Sequence, residues 1–477
     1  MTRFAIFIAL LCTAHAETPA GLLAVKSAAE KLGQRPGMDS ARVGVALLRL
    51  GENSDVVIDV DGKKGFIPAS TTKLLTSAVA LDTLGPDFTF ATTLGHTGTI
   101  TDGTLSGDLV IQGSGDPTLA EYGWDDLFEK WTAIVKAASI AKVEGRVIGD
   151  SSFFGGQPRS GTWTWKDIGN YYASGAQGLN FFNNTFRIRF LPGKVGAPAK
   201  LLGTNPELPG VTLHNEMRTG STGSGDQGYV YAAPYSNIVH LRGSIPSGST
   251  FTIKGALPEP ALTCAQLFHQ RLTKEGVTIT QEANTVRSQG KPKPPINTLT
   301  TETSAPISNL LQRMNHKSVN LFAETILNRT GKSRGGTGSS ASGVAAVDAY
   351  FKKHGIITRG FVMNDGSGLS PLNTITPRQL VYFLKAANSD KYVDILRRSL
   401  PIAGRTGTLK SVARGTAAAG RVRAKSGTLS RTKCYAGYVD ASSGQRYAFA
   451  IMVNGYSRKY SDVKPGIEAI MARMAEL

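Results

Sequence analysis

The stretch FIPASTTKLLT, residues 66–76, sets Ser70 three positions before Lys73 at the start of a helical run. A serine hydroxyl becomes a nucleophile when a base takes its proton, and a lysine amine is that base once its own pKa has been lowered. At i, i+3 on a helix the two side chains share a face. The positive end of the helix and a second nearby cation would both lower the lysine. The same spacing recurs at Ser139, Ser288, Ser430 and Ser461, so the pair alone is a weak signal. Only at Ser70 does it follow a proline and open a strongly helical segment, KLLTSAVALDTLG. The competing reading makes Ser70 an N-cap and Lys73 a solvated first-turn residue.

Two further stretches carry polar groups suited to one cleft. HKSVN holds Ser318 and Asn320, able to point the same way from a turn before a helix, although a lone Ser-x-Asn commonly caps or turns. RAKSGTL holds Lys425, Ser426, Gly427 and Thr428, followed by a strand. A lysine and hydroxyls at a sheet edge bind a carboxylate, and glycine lets a substrate backbone lie close; a basic hairpin turn is the alternative. In chain order, Ser-x-x-Lys at a helix start, Ser-x-Asn in a helical stretch and Lys-Ser-Gly beside a late strand form the set found in class A β-lactamases and penicillin-binding proteins.

The elements that must position these groups come from both ends of the chain. A length of 477 residues with 41% hydrophobic and 18% charged residues implies a globular protein of two or three domains. Arg3, the apolar run FAIFIALLC and AHA before Glu17 follow the order of a secretory signal, so the mature chain is expected from about Glu17, exported and periplasmic. The residues ahead of Cys12 do not favour lipid attachment, and no later segment reaches the roughly 18 apolar residues of a membrane helix. Cys264 and Cys434 are far apart in sequence, and spacing leaves open whether they are bonded. A strand at ARVGVALLRL, a hairpin partner at DVVIDVDG and the helix after Pro68 precede a block of short alternating strands from about Thr89 to Pro295. KPKPP reads as a linker closing that block. Helices, two strands (CYAGYVDA and RYAFAIMVNG) and a last helix follow.

The net charge of +18 is concentrated late: between Lys391 and Lys433 only Asp394 opposes the basic residues. Such a region attracts polyanions. Export, and the lack of any zinc-finger spacing or RNA-binding motif, turn the expectation away from nucleic acid. Anionic envelope polymers, a membrane surface or acidic peptides remain, beside the reading of a basic surface with no partner.

Together with the three motifs, GDLVIQGSGDPTL from Gly107, IGDSSFF from Ile148, YVYAAPYSN from Tyr229, NDGSGLS from Asn364 and AGYVD from Ala436 make the chain resemble one family over nearly all its length. It is that of the D-alanyl-D-alanine carboxypeptidases/endopeptidases, the class C low-molecular-mass penicillin-binding proteins. The resemblance implies an α/β (α+β) fold: a serine β-lactamase/transpeptidase-like catalytic domain, residues 17–88 and 296–477, with a strand-rich insertion forming two further domains. These are expected at 89–160 with 241–295, and nested within them at 161–240. The resemblance further implies that Ser70 attacks the peptide carbonyl between two D-alanines while Lys73 accepts its proton. Backbone N–H groups of Ser70 and Thr428 would hold the oxyanion. Ser318 and Asn320 would relay the proton to the leaving amine and hold the substrate amide, and Lys425, Ser426 and Thr428 would take the terminal carboxylate, with Gly427 letting the substrate backbone lie close. Peptidoglycan stem peptides and β-lactams are the implied partners, with no metal or organic cofactor.

The chain also departs from its relatives. Val319 stands at the middle of the second motif, Pro371 where relatives often have arginine, and Ser430 where some have glutamine. Asp150, in IGDSSFF, is a candidate for meeting the amino end of a stem-peptide side chain, or else an ordinary strand-end aspartate. A class A β-lactamase is the nearest rival, because ETILN from Glu324 imitates its Glu-x-x-Leu-Asn, although here the match sits on a helix just after Asn320. A non-catalytic wall-binding protein is the rival from another class.

Overall fold

The computed structural model describes residues 19–52, 54–289 and 295–477. The expected signal, 1–16, and most of KPKPP lie outside the described residues. The two ends of the chain meet in one antiparallel sheet, ordered Val422–Leu429, Thr432–Asp440, Arg446–Asn454, Arg42–Arg49, Val56–Val60. The strand Arg42–Arg49 is apolar without a helical period because both its faces are covered. Val45 and Leu47 enter a core shared with the helices Pro19–Gly33 and Tyr460–Glu476. Ala46 and Leu48 enter another, shared with Lys73–Leu84, Asn320–Ser333 and Pro377–Asn388.

The helix Lys73–Leu84 is the element on which the site depends. Its residues from Lys73 to Leu81 are all buried, and it stops at Gly85, whose N–H reaches Leu81 O from a positive φ of 79°. Burying Leu74, Leu75, Val79 and Leu81 contributes about 1.5–3 kcal/mol each. That gain offsets the cost of taking the Lys73 amine out of water at the helix's first position.

The insert forms separate sheets. One, ordered Asn284–Thr285, Val147–Asp150, Leu109–Gly113, Ala91–His96, Asn297–Thr303, packs with the helices Asp125–Ala137 and Pro260–Lys274. A small four-stranded sheet lies beside it in sequence, and two three-stranded sheets follow, Lys200–Asn205/Thr185–Leu191/Phe251–Ala256 and Thr212–Gly220/Ile238–Pro246/Tyr229–Tyr231, sharing one core. Sheet membership moves two of the expected seams. Asn297–Thr303 pairs antiparallel with Ala91–His96, so the insert's pairing runs past residue 296. Ile238–Pro246 and Phe251–Ala256 belong to the nested sheets, so the seam at 240 shifts beyond 256. A linker's composition marks uncommitted chain, but which strand the next segment joins is a long-range choice.

Cys264 and Cys434 are both buried free thiols, in different cores.

Candidate active site

Ser70 does not cap its helix with its side chain. Residues Ala69–Thr72 form a short 3-10 turn before the α-helix begins at Lys73, with no side-chain cap at either start. Lys73 Nζ instead lies 3.0 Å from Ser70 Oγ. Ala69 holds a positive φ of 46°, a conformation that costs a non-glycine residue on the order of 1 kcal/mol or more. Two glycines clamp that elbow: a Cβ on Gly368 would stand 1.9 Å from Ala69 O, and one on Gly427 would stand 2.6 Å from Pro68 O and 3.0 Å from Ser70 N. Gly427 is therefore required by the protein's own backbone, where the sequence suggested the approach of a substrate.

Lys73 is fully buried and makes two further contacts, to Asn320 Oδ1 and to Ser367 O, both at 2.7 Å. The Asn320 amide is oriented by its other end, since Nδ2 donates to Tyr172 O at 2.7 Å. Both oxygens can only accept. When the amine is neutral, its two N–H bonds are taken by these carbonyls and its lone pair is left for the Ser70 hydroxyl proton. Burial lowers Lys73 to about 7, against the charges of Glu324 and Asp365, which raise it. The sequence assigned this shift to the helix end and a second cation. Desolvation does most of it, and the repulsion between the two lysines is felt at Lys425, which burial and then Lys73 and Lys433 push well below the ordinary lysine value.

Ser318 sits at the end of the helix Ile307–Lys317 with φ 57°, and Asn320 starts the next helix, so the two-residue spacing is a tight corner between helices. Lys425 Nζ donates to Ser318 Oγ at 3.0 Å and to Ser426 O at 2.7 Å. The Lys-Ser-Gly motif lies inside the edge strand Val422–Leu429 rather than ahead of a strand. Ser426 Oγ donates to Thr408 Oγ1 at 2.8 Å, and of the three residues expected to take a carboxylate only Thr428 lines the cavity directly. That cavity, about 300 Å³, brings Ser70, Ser318, Asn320 and Thr428 together with Asp167, Tyr172 and Leu369. A larger cavity of about 720 Å³, lined in part by Lys63, Arg359, Tyr382 and Lys385, contains none of the motif residues. The smaller one is the candidate site because it is lined by Ser70, whose hydroxyl lies beside the perturbed lysine.

Asp150 is not brought to this cavity. It is 1% exposed, and its carboxylate accepts from Gln112 Nε2 at 3.0 Å and Ser152 N at 2.9 Å, the strand-end alternative that the sequence left open. The acid that lines the cavity is Asp167, in an irregular segment where no periodicity signals it. Lys433 is a second omission: it donates to Thr428 Oγ1 at 2.7 Å, and burial lowers it to about 8. The remaining omissions are supports. Asp365 accepts from Gly368 N, Ser370 N, Asn373 Nδ2 and, at 2.7 Å, Trp163 Nε1, which ties the insert to the catalytic sheet's domain.

Glu324 is the resemblance to a β-lactamase resolved by geometry. Its carboxylate is buried, accepts from Gly366 N at 3.0 Å and Ser367 N at 2.7 Å, and is raised to about 7 by burial and Asp365. It holds the turn that presents Ser367 O to Lys73. Glu324→Gln is expected to destabilise the protein by about 1–3 kcal/mol, because an amide cannot accept both N–H groups, and to slow acylation and deacylation by penicillin together. Thermal melts with stopped-flow acylation and label-release rates check this; a selective loss of deacylation with unchanged stability would make Glu324 a deacylating base instead.

Comparison with known proteins agrees in extent with this architecture. A family model for D-Ala-D-Ala carboxypeptidase 3 (S13) matches residues 24–477. The D-alanyl-D-alanine carboxypeptidase of Actinomadura sp. (strain R39) is 30% identical over 443 residues, covering 88% of this chain and 79% of the relative. The D-alanyl-D-alanine carboxypeptidase DacB of Haemophilus influenzae is 26% identical over 440 residues, covering 88% and 86%. Among solved structures, penicillin binding protein 4 (dacB) of Haemophilus influenzae superposes with a TM-score of 0.78 at 25% identity, covering 93% of this chain and 97% of that one.

Proposed function

The chain belongs to the D-Ala-D-Ala carboxypeptidase 3 (S13) family, a family of serine hydrolases, and from that premise we propose that Ser70 is the nucleophile of a carboxypeptidase acting on peptidoglycan stem peptides. The observation that carries the proposal is the Lys73 amine, 3.0 Å from Ser70 Oγ with its N–H bonds directed at two carbonyl oxygens. Lys73 takes the hydroxyl proton as Oγ attacks the carbonyl between the two D-alanines. The N–H groups of Ser70 and Thr428 receive the oxyanion, an arrangement worth on the order of a hundredfold or more in rate. The C–N bond then breaks, and the D-alanine amine leaves with a proton delivered through Ser318. Water hydrolyses the ester and frees Ser70. The substrate's terminal carboxylate is held by Thr428 with Lys425 and Lys433 behind it; an arriving anion favours the charged form of both lysines, which burial disfavours.

The same steps with a cross-linking amine as leaving group give endopeptidase action, and β-lactams acylate Ser70 in place of the peptide. The site of action is the cell envelope, after export. A basic surface that meets anionic wall polymers or lipid headgroups is compatible with that setting, whereas nucleic acid is not an expected partner. Incubating the mature protein with an N-acetylated pentapeptide ending in D-Ala-D-Ala and with cross-linked muropeptides, then separating products by mass, tests both activities. Free D-alanine is the expected product from the first; a protein that binds penicillin yet never releases D-alanine from any such peptide would overturn the reading.

Asp167 supports a further element of specificity. It lines the same cavity as Ser70 while accepting from Thr164 Oγ1 at 2.6 Å and Tyr172 OH at 2.9 Å, and its remaining lone pairs suit an ammonium group. Asp167→Asn should raise KM about tenfold or more for peptides with a free side-chain amine next to the D-alanines, leaving peptides with that amine acetylated unchanged. Equal KM values for the two peptide types in the wild-type enzyme would rule the role out.

A further inference from the structure

Two strongly exposed aromatic side chains flank the cavity-lining residues Asp167 and Tyr172: Trp165 is 62% and Tyr171 is 51% exposed. Asp167 N donates to Thr164 O at 2.8 Å, so Trp165 and Lys166 form the tip of a tight turn. The Trp165 ring stands 6.2 Å from Tyr231, and Tyr231 stands 6.4 Å from Tyr229. Those tyrosines are two apart on the strand Tyr229–Tyr231 and so share a face. Lys166 Nζ lies 4.4 Å over the Tyr229 ring. The result is a row of three rings beginning two residues from the cavity.

The row is held in place. Asn170 Nδ2 donates to Lys166 O at 2.7 Å, and Asn170 Oδ1 accepts from Val230 N at 3.1 Å, fastening the turn to the tyrosine strand. A side chain as apolar as Trp165 costs solubility when left in water, and a polar residue at a turn tip would serve the fold as well. Exposed apolar surface beside a catalytic cleft marks a contact surface, and rigid aromatic faces bind at a low entropic cost. The ligand that fits is a flat ring with an apolar C–H face and a polar edge. Pyranose rings have that shape, and a stem peptide is joined to a chain of them.

We propose that the row Trp165–Tyr231–Tyr229 binds the sugar rings of the glycan strand, so that the enzyme prefers a stem peptide still attached to glycan over the same peptide free. Lys166 donates to a ring hydroxyl or acetamide oxygen at the edge. The inference rests on the carboxypeptidase reading of the adjoining cleft, and stacking that survives high salt separates it from general attraction to the protein's positive charge.

The test uses the mature protein, the variants Trp165→Ala, Trp165→Ala with Tyr231→Ala, and Trp165→Phe. D-alanine release is measured from a free pentapeptide and from the same pentapeptide on a glycan strand. The alanine variants should raise KM about tenfold on the glycan-linked substrate, with kcat kept and free-peptide turnover unchanged within about twofold; Trp165→Phe should restore most of the loss. Equal losses on both substrates, or no loss on the glycan-linked one, would overturn the proposal. Binding of peptide-free glycan strands is measured separately in about 1 M salt, where charges are screened beyond about 3 Å. Retention by the wild type and its loss in the double variant are expected, and absence of binding by the wild type overturns the proposal. If strands bind but neither substrate releases D-alanine, the ledge stands and the carboxypeptidase reading falls.

Discussion

Ser70→Ala is expected to abolish both D-alanine release and covalent labelling by a fluorescent penicillin, a loss on the order of a millionfold in kcat, the size found when a serine hydrolase loses its nucleophile. The hydroxyl is only half-buried and its removal leaves Lys73 bonded to Asn320 and Ser367. Stability should therefore change by no more than about 1 kcal/mol. Intact-protein mass spectra after penicillin treatment, beside thermal melts, read both quantities. A Ser70→Ala protein that still gains the mass of penicillin would place the nucleophile elsewhere, with Ser318 the first to be tried.

Lys73→Met carries the second large effect. Methionine fills much of the same buried volume but cannot take a proton, so acylation should fall about 10²- to 10⁴-fold with the fold retained. The wild type should show a matching pH dependence. Catalysis needs the neutral amine, and burial lowers Lys73 to about 7, so kcat/KM should rise with pH through about 7 and level off above it. An unperturbed lysine would put that limb near 10.5. Stability has a linked signature. Between about 7 and 10.5 the unfolded chain holds a proton on this lysine that the folded one has lost, so stability rises with pH across that window. The direction at Lys425 adds to the slope. In Lys73→Met the slope should flatten. A pH–rate limb near 10, or one unmoved by substitutions around Lys73, would remove the neutral amine from the mechanism.

Much of the candidate site was legible in sequence because each of its parts is local. Ser70 and Lys73 meet within one helical turn, Ser318 and Asn320 across one corner, and Lys425 to Thr428 along one strand, distances over which residue spacing has a direct geometric meaning. The strand Arg42–Arg49 was legible for the same reason: an apolar run without a helical period is what a strand covered on both faces looks like. Asp150 was ambiguous in sequence because a strand-end aspartate bonded within the fold looks the same there as one facing a cleft, and the structure places it outside the cavity lining. Glu324 and Asp365 were opaque as site residues because partners of each lie far away in the chain, Gly366 and Ser367 for Glu324 and Trp163 of the insert for Asp365, whereas Asp167 was opaque because it lies in an irregular segment that no periodicity marks.

By itself, then, the amino-acid order determined the candidate groups, their local pairing and the family. Tertiary structure alone decided the surroundings on which their proposed reactivity rests. Lys73 is suited to the proposed role of base because the helix behind it is packed on all sides and strips water from its amine. Its lone pair points at Ser70 because Asn320 and Ser367, about 250 and 290 residues further along, supply oxygens at hydrogen-bond distance. Desolvation and long-range hydrogen bonding are properties of surfaces brought together by folding, and no spacing of a few residues encodes them.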